Sequence, residues 1–223
     1  MGVECTVRTL PTSPSPHSAL LGRMGLLLAW LLGLLLMLPG VPARSEPNAV
    51  RVVEGERVAL HAQVAGADLL LNGTGVRAVA WFKGYVAALY LPSQARTLPQ
   101  VLTLGGAKRL QLRMLQDVPA QEFVKALNKG IARNATAPQW AALAPAVNQF
   151  DAIVTLLGAV RKGDVIDIDL DPARGLLFSL NGSLRGEPVE GGELYAALLR
   201  AFLGDQPYDD KLKAGLLSAP SKH

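Results

Sequence analysis

The stretch Leu71-Asn72-Gly73-Thr74-Gly75-Val76-Arg77 decides how this chain is interpreted, because it sets a cation just before the longest apolar run, Val79 to Leu91. That run predicts a long strand, and the glycines predict a turn at residues 73–75. A cation beside buried apolar sequence is costly unless an anion, hydroxyls or water satisfy it. Arg77 is therefore the first candidate ligand-binding residue, and Tyr85, within the strand, is a candidate hydroxyl donor.

The rest of the chain from residue 50 predicts an α+β fold. Strands are predicted over 50–64 (turning at 54–55), 69–72, 76–91, 101–104, 109–115, 164–170 and 176–180. Helices are predicted from residues 119 to 133 and 138 to 158, around 194–202 and over 209–217. With no βαβ alternation or internal repeat, this order favours a mostly antiparallel sheet with helices packed on one face.

Two strands carry charged residues in alternation with apolar ones. Arg109, Gln111 and Arg113 alternate with leucine and methionine, which predicts one buried and one solvated face. Asp167 and Asp169 alternate with isoleucine, so a solvated strand face explains these acids better than a calcium loop.

The N-terminal 43 residues have the features of a signal peptide. Arg23 precedes an apolar run from Gly25 to Met37, and Val41 and Ala43 occupy the −3 and −1 positions of a small-residue cleavage site. The run is short for a membrane span, so an uncleaved anchor is the weaker alternative, and Met24 is an alternative start. This predicts export, cleavage after Ala43 and a single domain over residues 44–223. The only cysteine, Cys5, lies in the removed part, and a disulfide-free mature chain favours a bacterial periplasm.

Charge and residue types argue against several partners. The net charge of +4 comes from scattered basic residues without a nucleic-acid motif, which argues against nucleic acid and allows only weak peripheral contact with an anionic membrane. His61 is the only histidine of the predicted mature chain besides the C-terminal residue, and no cysteine accompanies it, so neither a metal site nor a cofactor is expected.

Three stretches make the chain similar to the chalcone isomerase-like family, in particular its small exported bacterial members. They are residues 71–92, residues 109–128, and residues 180–186 together with 197–205. The resemblance covers about residues 69 to 217. It implies an open-faced β-sandwich, in which a ligand cleft lies between a large sheet and a helical layer.

The resemblance also implies candidate site residues. Members of the family include isomerases that close a chalcone into a flavanone and non-catalytic relatives that bind fatty acids. Both groups carry an arginine in a Gly-x-Gly-Val-Arg segment, and Arg77 stands at that position. Tyr85 and Tyr195 match polar positions of the enzymes' site, and Asn128 is a displaced match for an asparagine. Phe123, without a hydroxyl, matches the catalytic tyrosine, which argues against chalcone isomerase activity.

We therefore expect a non-catalytic binder of a small apolar anion such as a fatty acid. Arg77 would hold the carboxylate, with help from Tyr85, Tyr195 and Asn128. One alternative is a periplasmic isomerase, or intramolecular lyase, acting on a non-flavonoid enone. The other is an envelope accessory protein whose cleft is filled by its own side chains and whose surface binds a protein partner, of which the sequence reveals nothing.

Overall fold

The computed structural model describes residue 2, residues 49–79 and residues 82–218. The predicted signal peptide and cleavage site lie outside these residues. Strands are β1 (Val50–Val53), β2 (Glu56–Ala59), β3 (His61–Val64), β4 (Ala67–Val79), β5 (Phe82–Leu91), β6 (Lys108–Met114), β7 (Val118–Pro119), β8 (Ala159–Val160), β9 (Val165–Asp171), β10 (Gly175–Leu180) and β11 (Ser183–Leu184). In this part of the chain, seven strands form one antiparallel sheet in the order β11-β10-β9-β6-β5-β4-β3.

Five helices complete the described region. They are α1 (Leu98–Thr103), α2 (Ala120–Arg133), α3 (Ala137–Thr155), α4 (Glu193–Leu203) and α5 (Asp210–Leu216). The prediction of a strand over residues 101–104 is wrong. Thr97 and Gln100 form a capping box there, with Pro99 in the first turn, and these local signals start a helix instead. The other four helices were predicted, with ends displaced by a few residues.

The sheet separates two apolar clusters. Alternate residues of its central strands, among them Leu89, Leu110 and Ile168, face the helices and form the larger core. The opposite alternation, which includes Val86 and Tyr90, packs with the β1–β2 hairpin on the other side. The helical layer therefore covers one face of a mostly antiparallel sheet, which confirms the predicted α+β fold.

The predicted turn at residues 73–75 is wrong, because strand β4 runs through it. Gly73 and Gly75 pair with Leu89 and Ala87 of β5 and so face the helical layer. A Cβ atom on Gly75 would lie 2.7 Å from the carbonyl oxygen of Leu212 in α5. The glycines thus allow α5 to pack directly on the strand backbone, which is the other common reason for glycine in a strand.

The faces of β6 and β9 predicted to be solvated are in fact largely buried. Arg109 donates two hydrogen bonds, of 2.7 and 2.6 Å, to the carboxylate of Asp169. Gln111 donates to Asp167 at 2.8 Å and accepts from Arg113 at 3.0 Å. Asp167 and Asp169 are only 7% and 6% exposed, since opposite charges meet across the two paired strands. Because these polar side chains pair with one another across β6 and β9, they do not need water as a partner. The sequence of either strand alone does not show this pairing.

Within the described residues, no helix combines the length and the apolar character needed to cross a membrane.

Candidate functional site

Arg77 and Tyr85 lie directly opposite each other on strands β4 and β5. Both face the helical layer, because Tyr85 continues the alternation of Ala87 and Leu89. The Arg77 side chain is 25% exposed, so its charge is only partly hydrated. The structure therefore brings together two of the four residues predicted for the site.

A carboxylate from the C-terminal part of the chain faces the same cation. Nη1 of Arg77 lies 3.5 Å from Oδ2 of Asp209 and 3.1 Å from the carbonyl oxygen of Ala78, to which it donates. Asp209 precedes α5, and its Oδ1 accepts a hydrogen bond from the backbone N–H of Leu212 at 2.9 Å. One acidic side chain thus caps α5 and approaches Arg77 from the helix side of the sheet.

Tyr208 lies near Arg77 and Tyr85, which both affect the pKa of its hydroxyl. Its ring packs edge-to-face on Phe202, with centroids 4.9 Å apart, and its hydroxyl donates to the carbonyl oxygen of Leu127 at 3.1 Å. The ring also lies so close to Gly130 of α2 that a Cβ atom there would overlap it. Gly130, which has no side chain, therefore makes room for the ring of Tyr208.

The electrostatics keep both tyrosines protonated. Burial raises the pKa of Tyr85 well above its usual range; the nearby Arg77 lowers that pKa and Asp209 raises it. Burial likewise raises the pKa of Tyr208, and Tyr85 adds to the increase. Both hydroxyls are therefore hydrogen-bond donors at neutral pH.

An irregularity in the β4–β5 pairing separates Lys83 from Arg77. Arg77 pairs with Tyr85 but the next residue, Ala78, pairs with Lys83, so Gly84 is the extra residue of a bulge. Lys83 instead lies 2.6 Å from Glu54 in the β1–β2 turn. Lys83 therefore does not lie on the face of Arg77.

The remaining two predicted site residues lie elsewhere. Asn128 of α2 donates to Oδ2 of Asp151 in α3 at 2.6 Å, so it joins two helices. Tyr195 of α4 is 2% exposed, and its hydroxyl has no partner in the described part of the chain. Burial raises the pKa of Tyr195, which keeps that hydroxyl protonated.

Neither of two cavities in the described part of the chain is lined by Arg77 or Tyr85. The first, of about 1120 Å³, lies at the opposite end of the sheet, between the loops that follow α1, β9 and β11. The second, of about 250 Å³, lies between helices α2, α3 and α4. The immediate surroundings of Arg77 are packed by Tyr208 and by α5.

Sequence reasoning missed Asp209 and Tyr208 as neighbours of Arg77. Asp209 stands at the start of a predicted helix, where an acidic residue is expected as a cap. No local pattern connects it with a strand residue 132 positions earlier. Among the described residues, no group of three or more histidine, cysteine, aspartate or glutamate side chains could hold a metal ion.

Comparisons with known proteins identify the fold. A family model described as chalcone isomerase-like matches residues 50–218. Among solved structures, a fatty-acid-binding protein from Arabidopsis thaliana superposes with a TM-score of 0.57, covering 76% of this chain and 96% of that chain at 12% sequence identity. At this identity the similarity is one of fold. No curated protein sequence matches the chain significantly.

Proposed function

This chain belongs to the chalcone isomerase-like family, and we propose that it binds a small apolar anion, such as a fatty acid, without catalysing a reaction on it. The Arabidopsis thaliana protein of similar fold is a fatty-acid-binding protein, which supports an acyl ligand. The carboxylate would bind Arg77, and the apolar tail would pass between the sheet and the helical layer.

The incomplete pairing of Arg77 is the observation that carries this proposal. Its guanidinium has five donors in a fixed planar arrangement. Among the described residues only Nη1 has acceptors, at 3.1 Å on a neutral carbonyl and at 3.5 Å on Asp209. A bidentate arginine–carboxylate pair is shorter, at about 2.7–2.9 Å, and stronger. A ligand carboxylate that displaced Asp209 would therefore gain contacts that the internal acid does not make.

Tyr85 supplies the second donor in this proposal. It lies across from Arg77, is protonated, and its hydroxyl has no hydrogen-bond partner within the described residues. Tyr195 would contribute its unpartnered hydroxyl farther along the interior. Asn128 could donate to the ligand only if its hydrogen bond to Asp151 were broken.

We also propose that the protein is exported to a bacterial periplasm after cleavage behind Ala43. The mature form would start at Arg44 and contain the whole region matched by the family model. N-terminal sequencing of protein recovered from the periplasmic fraction tests this. A first residue other than Arg44, or retention in the membrane fraction, would contradict the proposed processing.

Native mass spectrometry of residues 44–223 tests the ligand. Protein with added dodecanoate should retain one fatty acid, and Arg77→Gln should lose it. Lys83→Gln is the matched control, because it removes a nearby cation that faces Glu54 instead. Retention by Arg77→Gln, or no uptake by the parent protein, would contradict the proposal.

A second candidate function has its own supporting observation. Tyr208 packs against Gly130, and α5 packs on Gly73 and Gly75 of the strand that carries Arg77, so the protein's own groups occupy part of the space between the sheet and the helices. This favours an accessory protein with a closed cleft, in which Arg77 and Asp209 form a structural pair. In that case dodecanoate would not bind, and Arg77→Gln would lower the melting temperature without changing any ligand signal.

A further inference from the structure

The cavity between helices α2, α3 and α4 is separate from the Arg77 site and has the make-up of a ligand pocket. Its volume is about 250 Å³. Its lining is mainly apolar, with Ile131 from α2, Ala142 and Leu143 from α3, and Ala197 from α4. Ile131 and Ala197 are 2% and 5% exposed. The floor of the cavity is therefore part of the core and does not depend on mobile surface side chains.

A cation lines this apolar cavity without a matching acid. Arg200 of α4 contributes to the lining, and no acidic oxygen lies within 4.0 Å of its guanidinium in the described part of the chain. Glu193 also lines the cavity, but it precedes Arg200 by two helical turns, about 10 Å along the axis. An anion is thus attracted at one end of the cavity and repelled at the other, which fixes its orientation.

A second donor lies on the opposite wall. The Oε1 atom of Gln139 accepts from the backbone N–H of Thr136 at 2.9 Å, as part of the capping box that begins α3. This contact identifies Nε2 as the outward-facing donor of the amide, and Nε2 has no acceptor among the described residues. The side chain of Asn134, by contrast, is fully used by Gly130 and Gln206.

We propose that this cavity is a second binding site, for a short-chain or aromatic monocarboxylate, in which Arg200 and Gln139 hold the carboxylate. The apolar part of the ligand would lie on Ile131, Leu143 and Ala197. The volume is below the roughly 300–1,000 Å³ of pockets for drug-sized ligands, so the ligand is small. The site does not require that Arg77 bind anything.

Octanoate and benzoate are the probes that test this proposal, with octanamide and benzamide as neutral counterparts. Titrations of the 44–223 protein followed by NMR should show shifts centred on Ile131, Ala135 and Ala197 for the acids. The amides should bind at least tenfold more weakly, because a charge-assisted contact is lost.

Two variants locate the binding independently. Arg200→Gln should weaken octanoate at least tenfold, and Ala142→Phe should block the cavity from an exposed helix position without disturbing the core. Arg96→Gln, which removes an exposed cation outside the cavity, is the charge-matched control and should bind like the parent. In Arg77→Gln, the octanoate-induced shifts at Ile131, Ala135 and Ala197 should persist, because these residues line the second cavity and not the surroundings of Arg77.

The outcomes separate this site from the proposed fatty-acid site. If Arg200→Gln and Ala142→Phe lose the octanoate shifts at Ile131, Ala135 and Ala197 while Arg77→Gln keeps them, the second site is supported. If Arg200→Gln keeps these shifts, the second site is overturned, and loss of octanoate binding in Arg77→Gln then supports the first site. Equal binding of acid and amide, or no binding of either acid, also overturns it.

Discussion

Asp209 approaches Arg77 with one carboxylate oxygen, at 3.5 Å, while its other oxygen caps the first turn of α5. The cation of strand β4 is thereby linked to the start of the C-terminal helix. The same helix packs on Gly73 and Gly75, which precede Arg77 on the same face of the strand. In the proposed function, a ligand that takes the place of Asp209 acts directly on the N-terminus of α5.

Asp209→Asn should strengthen binding of dodecanoate. Asparagine caps helices as well as aspartate, so α5 keeps its start, while the competing charge disappears. The lost pair is partly exposed and is expected to be worth about 0.2–1 kcal/mol, which corresponds to a gain of about 1.4- to fivefold in affinity. Isothermal titration calorimetry measures this gain. Asp210→Asn, the adjacent exposed acid, is the control and should change little. Equal affinity in both variants would show that Asp209 does not compete with the ligand.

Gly75→Ala should destabilise the protein through the contact between β4 and α5. The added methyl group would lie 2.7 Å from the backbone oxygen of Leu212, which cannot rotate away. Overpacking of this kind costs about 1–3 kcal/mol. Gly105→Ala is the matched control, because a Cβ atom there meets nothing within 4 Å. Urea unfolding of both variants checks the difference, and equal free energies of unfolding would contradict the close packing of α5.

Removing one partner of the Arg109–Asp169 pair should cost more than removing both. The two side chains are 19% and 8% exposed, so a single substitution leaves a charge with little access to water. Asp169→Asn is expected to lower the free energy of unfolding by about 3 kcal/mol, the lower end of the usual cost, because Arg109 keeps a weaker contact with Asp167 at 3.5 Å. The double variant Arg109→Met with Asp169→Leu should recover much of this loss. A double variant less stable than Asp169→Asn would contradict the interpretation.

Asp151 should make the protein less stable as the pH rises. Burial raises its folded pKa, and the hydrogen bond from Asn128 only partly opposes this; Oδ1 of Asp151 has no partner among the described residues. The folded state therefore binds the proton more tightly than the unfolded state, whose pKa is near 3.8. This stabilisation is complete below that value and is lost as the pH rises through the raised folded pKa.

Chemical unfolding of the parent and of Asp151→Asn between pH 3 and 7 tests this sign. The difference in stability should shift in favour of Asp151→Asn as the pH increases. A constant difference across this range would show that Asp151 does not titrate with a raised pKa.

Much of the fold was predictable because its signals are local. The helices predicted from residues 119 to 133 and 138 to 158 correspond to α2 and α3, and the strands predicted over 164–170 and 176–180 correspond to β9 and β10. The mistakes arose where one signal has two meanings. Glycines at positions 73 and 75 are compatible with a turn or with a helix packed closely on a strand. Only the position of α5 shows that the close helix contact is the reason for them.

The sequence by itself determined the α+β class, the order of most elements, and Arg77 and Tyr85 as candidates, because periodicity, caps and turn residues act over a few positions. Only the tertiary structure decided which distant residue each of these side chains contacts. It placed Asp209 on Arg77, Tyr208 against Gly130, Asn128 on Asp151 and Arg109 across from Asp169. These contacts join residues far apart in the chain, and no local pattern specifies which distant strand or helix will lie opposite a given side chain.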